Sequence, residues 1–180
     1  KADPIFMNTT IANNTAGFMG GAVRLEASHP WFINSIVWNN GEDPILLQGE
    51  GQISSVNTVY SDIEFGQDGI NNDEGGIIIW GEGNLSGDPD SNPLFEDEFN
   101  GDYDLSEGSP CIDAGTDSIE VNGDIYIISD YEYEAPDMGA FESPFSVESA
   151  VTDSISLASG WNLISFDVDI ESNGPADVFA

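Results

Sequence analysis

The sequence predicts an all-β fold: a right-handed parallel β-helix, or solenoid, with an irregular C-terminal cap and a short β-hairpin tail. Three observations carry that expectation: a repeat at a fixed offset, short β-branched and aromatic runs that end at Asn or Gly, and the lack of any run with helical period.

The repeat decides the architecture. Pro4-Ile5-Phe6-Met7-Asn8-Thr9-Thr10-Ile11 matches Pro30-Trp31-Phe32-Ile33-Asn34-Ser35-Ile36-Val37 at an offset of 26 residues, and the match runs on through Asn13-Asn14 and Asn39-Asn40. The same step brings 57–63 under these columns, so that Thr9, Ser35 and Ser61 align, as do Ile11, Val37 and Ile63. Further short strands follow at Ala22-Val23-Arg24-Leu25 and Ile45-Leu46-Leu47, with Gly20-Gly21 and Gly41 at the corners between. Strands one repeat apart then pair in parallel, and each copy buries its inward side chains against its neighbours. Asn13 and Asn39 fall at corners, where Asn tolerates left-handed backbone and its amide can bond to a neighbouring copy.

The closing text agrees. Asn92-Pro93-Leu94-Phe95, Tyr103-Asp104-Leu105 and Pro110-Cys111-Ile112 read as short strands between turns, and Met138-Gly139-Ala140-Phe141 would complete a cap over the end of the stack. The text GNLSGDPDSNPLFEDEFNGDYDLSEGSPCIDAGT and DYEYEAPDMGAFE, within 83–142, resembles the closing section of bacterial surface proteins with right-handed parallel β-helix repeats, including the choice-of-anchor proteins. IANNTAGFMGGAVRL, FINSIVWNN and VNTVYSDIE fit the same family in the usual order. The resemblance implies an exported adhesin, matrix component or carbohydrate-associated module. It is specific for fold and setting and weak for activity. The β-helix and its cap are expected over 1–144 and a linker over 145–153. SLASGWNLISFDVD, within 154–180, resembles the start of a β-sandwich-like module of the GWNLIS type, with too few strands to fold alone.

Composition narrows the partners. Two basic residues against 34 acidic ones give a net charge of −32, which repels nucleic acid, anionic lipid and acidic polysaccharide. Neutral or cationic partners remain, and screening cations would steady such a surface. Aromatic residues at 11% argue for a folded acidic surface rather than disorder. The lone Cys111 has no partner for an internal disulfide and reads as a buried thiol. No apolar run is long enough to span a membrane, and no signal peptide is written at the start, so an export signal is expected outside these residues.

Candidate sites are few. Asp68, Asn71, Asn72, Asp73 and Glu74 gather oxygen ligands of the kind Ca2+ takes, in a loop that interrupts the repeat. Asp88, Asp90 and Asn92 have the spacing of half an EF-hand loop, but Pro89 and Pro93 stiffen it. The plain alternative for both is a solvated acidic turn. Trp31, Trp38 and Trp80 are candidate faces for sugar stacking, against burial between copies. Alternation along the strand lets only one of Trp31 and Phe32 face the core. Pectate lyases and polygalacturonases share the architecture, yet the only bases here are Lys1, Arg24 and His29, and the nearest carboxylate set is Asp62, Glu64 and Asp68. The expectation is a non-catalytic structural or adhesive surface module that binds neutral polysaccharide or another surface protein. A polysaccharide lyase or glycoside hydrolase fragment is the alternative, and a self-associating filament subunit whose tail completes a neighbour's sheet is a third reading.

Overall fold

The computed structural model describes residues 3–17, 20–49, 51–72 and 75–147. The module expected over 154–180, and most of the linker before it, lie outside the described residues. Nine strands come from three successive copies of the repeat: β1 (Ile5–Met7), β2 (Thr10–Ala12) and β3 (Val23–Glu26), then β4 (Trp31–Ile33), β5 (Ile36–Trp38) and β6 (Ile45–Gln48), then β7 (Ser55–Val59), β8 (Asp62–Ile63) and β9 (Ile70–Asn71). β10 (Ile77–Trp80) follows, and four more strands, β11 (Phe95–Asp97), β12 (Asp102–Leu105), β13 (Ser118–Val121) and β14 (Asp124–Ile127), form two antiparallel pairs. The fold is all-β with parallel sheets.

The repeat offset is the strand register. Phe6 pairs with Phe32 and Phe32 with Thr58 in the sheet β1-β4-β7-β10, while Ile11 pairs with Val37 and Val37 with Ile63 in the sheet β2-β5-β8. In the third sheet, β3-β6-β9, Val23 pairs with Ile45 and Ile45 with Ile70, so loops of unequal length absorb the departure from the repeat. Each run that reads as one strand in the sequence is two, because a left-handed residue bends the chain between them. Asn8, Asn34 and Tyr60 have φ of 47°, 47° and 46°, and Asn13, Asn39 and Phe65, after the second strand, have φ of 57°, 54° and 64°. Asn accepts this backbone at small cost, which is why the corners carry it.

Hydroxyl columns tie the copies together. The Thr9 amide donates to Ser35 Oγ (3.3 Å), the Ser35 amide to Ser61 Oγ (3.1 Å), and the Ser61 amide to Asn84 Oδ1 (3.0 Å). Each hydroxyl in turn donates to the carbonyl two residues before it, at Met7, Ile33 and Val59. Backbone groups freed at the corners are thereby satisfied. The Asn14 amide donates to Asn40 Oδ1 (3.0 Å), and Asn40 Nδ2 donates to the Ile11 carbonyl (2.7 Å), a second column of the same kind.

Alternation then sorts the side chains. Leu25, Phe32, Val37, Ile45, Leu47, Val56, Ile63 and Ile70, drawn from all three sheets, pack into one cluster, with Phe6 stacked on Phe32 at 4.8 Å between ring centroids. Their neighbours face the other way and are apolar too. Ile36 and Trp38 pack under Leu105, Cys111, Ile112 and Met138, whereas Ile33 and Val59 pack under Val121 of β13. The section that the sequence places as an end cap therefore lies over the outer faces of two sheets, because leaving Ile33, Ile36, Trp38 and Val59 bare would expose them to water. Backbone bonds pin it there: Gly139 N–H donates to Asn34 O (2.8 Å), and the Asn34 side-chain amide both donates to the Thr116 carbonyl and accepts from its N–H (each 2.9 Å). Asn13 and Asn39 send their side-chain amides to Glu98 in this section rather than to a neighbouring copy.

Candidate functional site

A cleft of about 550 Å3 opens where two loops meet beside the third copy of the repeat, lined by Glu42, Phe65, Asp68, Ser86, Gly87, Asp88 and Pro89. Phe65 ends the segment after β8, and the short 3-10 turn Gly66–Gly69 carries Asp68. Asp88 caps the turn Pro89–Ser91 by accepting from the Asp90 N–H (3.0 Å). The two loops touch through the Phe65 N–H, which donates to Gly87 O (2.6 Å). Only glycine permits this approach, since a Cβ at Gly87 would fall on the Gly66 nitrogen and the Ile63 carbonyl oxygen.

The cleft joins two loops that look separate in the sequence. Asp68 and Asp88 both line it, with Glu42 a third carboxylate. The other loop residues do local work. Asn72 Nδ2 donates to Gly76 O (3.0 Å), Asn92 Oδ1 accepts from the Leu94 N–H (2.8 Å), Asp90 is exposed, and Asn71 is half-buried at β9. Asp73 and Glu74 lie outside the described residues. Among the described residues no group of three or more His, Cys, Asp or Glu stands close enough together to hold a metal ion.

The tryptophans are placed differently from one another. Trp38 is 6% exposed and packed under the closing section, so it offers no ring face for stacking; its outward direction from β5 is the direction that section covers. Trp31 is half-buried against the cluster under β13, and Trp80 against the central cluster. Phe32, not Trp31, is the core residue of β4.

The bases considered for catalysis sit in separate local contacts. Arg24 pairs with Glu26 on the exposed face of β3 (2.8 Å), and His29 Nδ1 lies 2.9 Å from Ser55 Oγ at a corner. Lys1 lies outside the described residues. Asp62 is fully buried and turned away from Ile63 towards the closing section, where its Oδ2 accepts from the Cys111 thiol (3.7 Å). Burial pushes its carboxyl up to about 7, the Cys111 and Ser91 hydrogen bonds opposing and the Asp88 and Glu64 charges adding to the rise. Its Oδ1 has no hydrogen-bond partner among the described residues. Burial also raises the Cys111 thiol well above its usual range, holding it as the neutral, unreactive form. Glu142 rises to about 7 through burial, against the hydrogen bond it accepts from the Asp137 N–H.

Phe65 is the site residue that reading for chemistry missed. Its signal lies in the repeat: the column Asn13, Asn39, Phe65 changes from Asn to an aromatic residue at its third step. No family profile matches the chain, and no curated protein or solved structure matches it. No helix among the described residues is long and apolar enough to cross a membrane.

Proposed function

We propose that this chain is a right-handed parallel β-helix module of an exported bacterial surface or matrix protein, serving as a stiff, non-catalytic scaffold that adheres to neutral glycans. The observation that supports the fold in this reading is the order of strands. Each copy adds one strand to each of three parallel sheets in the same sequence, and all three sheets pack on one cluster, an order that a solenoid would produce. Right-handedness follows from the general rule for parallel crossover connections. The likeness of the closing text to choice-of-anchor surface proteins supports the extracellular setting.

The non-catalytic part of the reading is supported by Asp62 alone: its carboxyl, raised to about 7, is sealed from solvent and faces a thiol, so no substrate reaches it. The net charge of −32 disfavours nucleic acid, anionic lipid and uronate polymers. Affinity electrophoresis of the purified chain through gels containing neutral or acidic polysaccharide, with released reducing and unsaturated ends followed in parallel, tests the reading. Retardation by neutral polymers without release is the expected outcome; release of ends would replace the module by an enzyme.

A further inference from the structure

Two corner columns of the repeat end in an aromatic residue, and the structure treats the two differently. Tyr60 follows Asn8 and Asn34, and its φ of 46° is held by packing: the ring lies against Gly83, where a Cβ would collide with it, and it contributes to the clusters on both outer faces. Phe65 follows Asn13 and Asn39 with φ of 64°, belongs to none of the three clusters, and is 48% exposed. A bulky residue in left-handed backbone costs stability that Asn would spare, and here no packing into a core cluster offsets the cost. Phe65 instead lines the cleft, with about half of its surface open to solvent.

The rest of that cleft specifies what can meet the ring. Glu42, Asp68 and Asp88 are acceptors only when ionised, so a ligand must bring donors, and it must not be an anion. Pro89 extends the apolar lining and Ser86 adds a polar one. A pyranose ring combines a flat C–H face with a rim of hydroxyl donors. We propose, resting on the adhesive reading above, that this cleft binds a non-anionic pyranose, with Phe65 stacked on the C–H face and the carboxylates of Asp68, Asp88 and Glu42 accepting its hydroxyls. A neutral hexose and an amino sugar share that chemistry.

The repeat itself supplies the variant. Phe65→Asn restores the residue that the first two copies carry at this corner, so the backbone is kept while the ring is lost. Titration calorimetry with cellohexaose, a glucosamine hexamer, a galacturonate hexamer and hexalysine separates the cases. Expected is binding of cellohexaose, of the glucosamine hexamer, or of both, none of the galacturonate hexamer, and a loss of about tenfold or more in Phe65→Asn, whose melting temperature is equal to or above that of the parent. Asp68→Ala weakens the same binding. Binding of the sugars that Phe65→Asn and Asp68→Ala leave intact would overturn the cleft while leaving the adhesive module standing, and failure of every sugar at millimolar concentration would overturn both. Binding of hexalysine alone would overturn the sugar in favour of a basic protein partner.

Discussion

Asp62→Asn should make this protein more stable at neutral and alkaline pH. The folded carboxyl sits near 7 against 3.8 for the free side chain, so the folded state holds a proton that the unfolded chain releases. Stability from this group is fully present below about pH 4 and is lost as pH rises towards about pH 7, above which the loss is constant. At roughly 1.4 kcal/mol per pH unit the whole loss is about 4 kcal/mol, and the part falling between about pH 5 and about pH 8 is about 3 kcal/mol. Asp62 is fully buried, so solvent does not screen this penalty, and Asp88 and Glu64 add repulsion to it. Asn keeps the shape and removes the charge. Urea unfolding of both proteins across that range isolates the effect, because the acidic groups not coupled to Asp62, Glu142 among them, are common to both. Expected is a stability difference in favour of Asp62→Asn that widens by about 3 kcal/mol from about pH 5 to about pH 8. Parallel profiles would refute the buried, proton-holding carboxyl.

Three further outcomes follow from the packing. Ser35→Ala removes the acceptor for the Thr9 amide and the donor to Ile33 O in a buried column, and should cost about 1–3 kcal/mol by urea unfolding. Phe32→Ala empties a fully buried position stacked on Phe6 and should cost about 3–5 kcal/mol, read as a lowered melting temperature by circular dichroism. Gly87→Ala drives a methyl group into the Gly66 nitrogen and the Ile63 carbonyl oxygen at a φ of 70°, so the two loops must part; sugar binding should fall before global stability does, which titration calorimetry beside thermal melting resolves.

Much of the fold is legible because the repeat is a physical register: a column of Ile11, Val37 and Ile63 is apolar, β-branched and periodic in the sequence, and the same residues pair across β2, β5 and β8. The central cluster follows from the same columns, and Phe32 rather than Trp31 inside it follows from alternation once the direction of one neighbour is known. The position of the closing section was not legible. Of the strands expected there, 92–95 and 103–105 overlap β11 and β12, whereas Pro110-Cys111-Ile112 forms a turn and the hairpin β13–β14 falls in a stretch not read as strand. The section's place over Ile33, Ile36 and Trp38 depends on those residues facing outward, and a single sequence does not say which face of a strand is the inner one. The left-handed corners at Asn8 and Asn34, which split one apparent strand into two, are written in the Asn residues themselves. The cleft was half legible. Asp68 and Asp88 stand out as acidic loop residues, but that they share one cleft with Glu42 depends on contacts between loops far apart in the sequence, such as the Phe65 N–H to Gly87 O bond. Phe65 was hidden by its chemistry, since an aromatic residue in a β-rich chain reads as core unless its column is compared with the two Asn residues before it.

The proposed module binds sugar polymers and does not cut them. The most direct measurement is prolonged incubation of the intact chain, with calcium present, on β-glucan and on polygalacturonate, followed by mass spectrometry of the soluble fraction and by recovery of the protein from the insoluble polymer. The expected result is protein retained on the neutral glucan and no oligosaccharide from either polymer. New reducing or unsaturated ends that depend on the protein would contradict it.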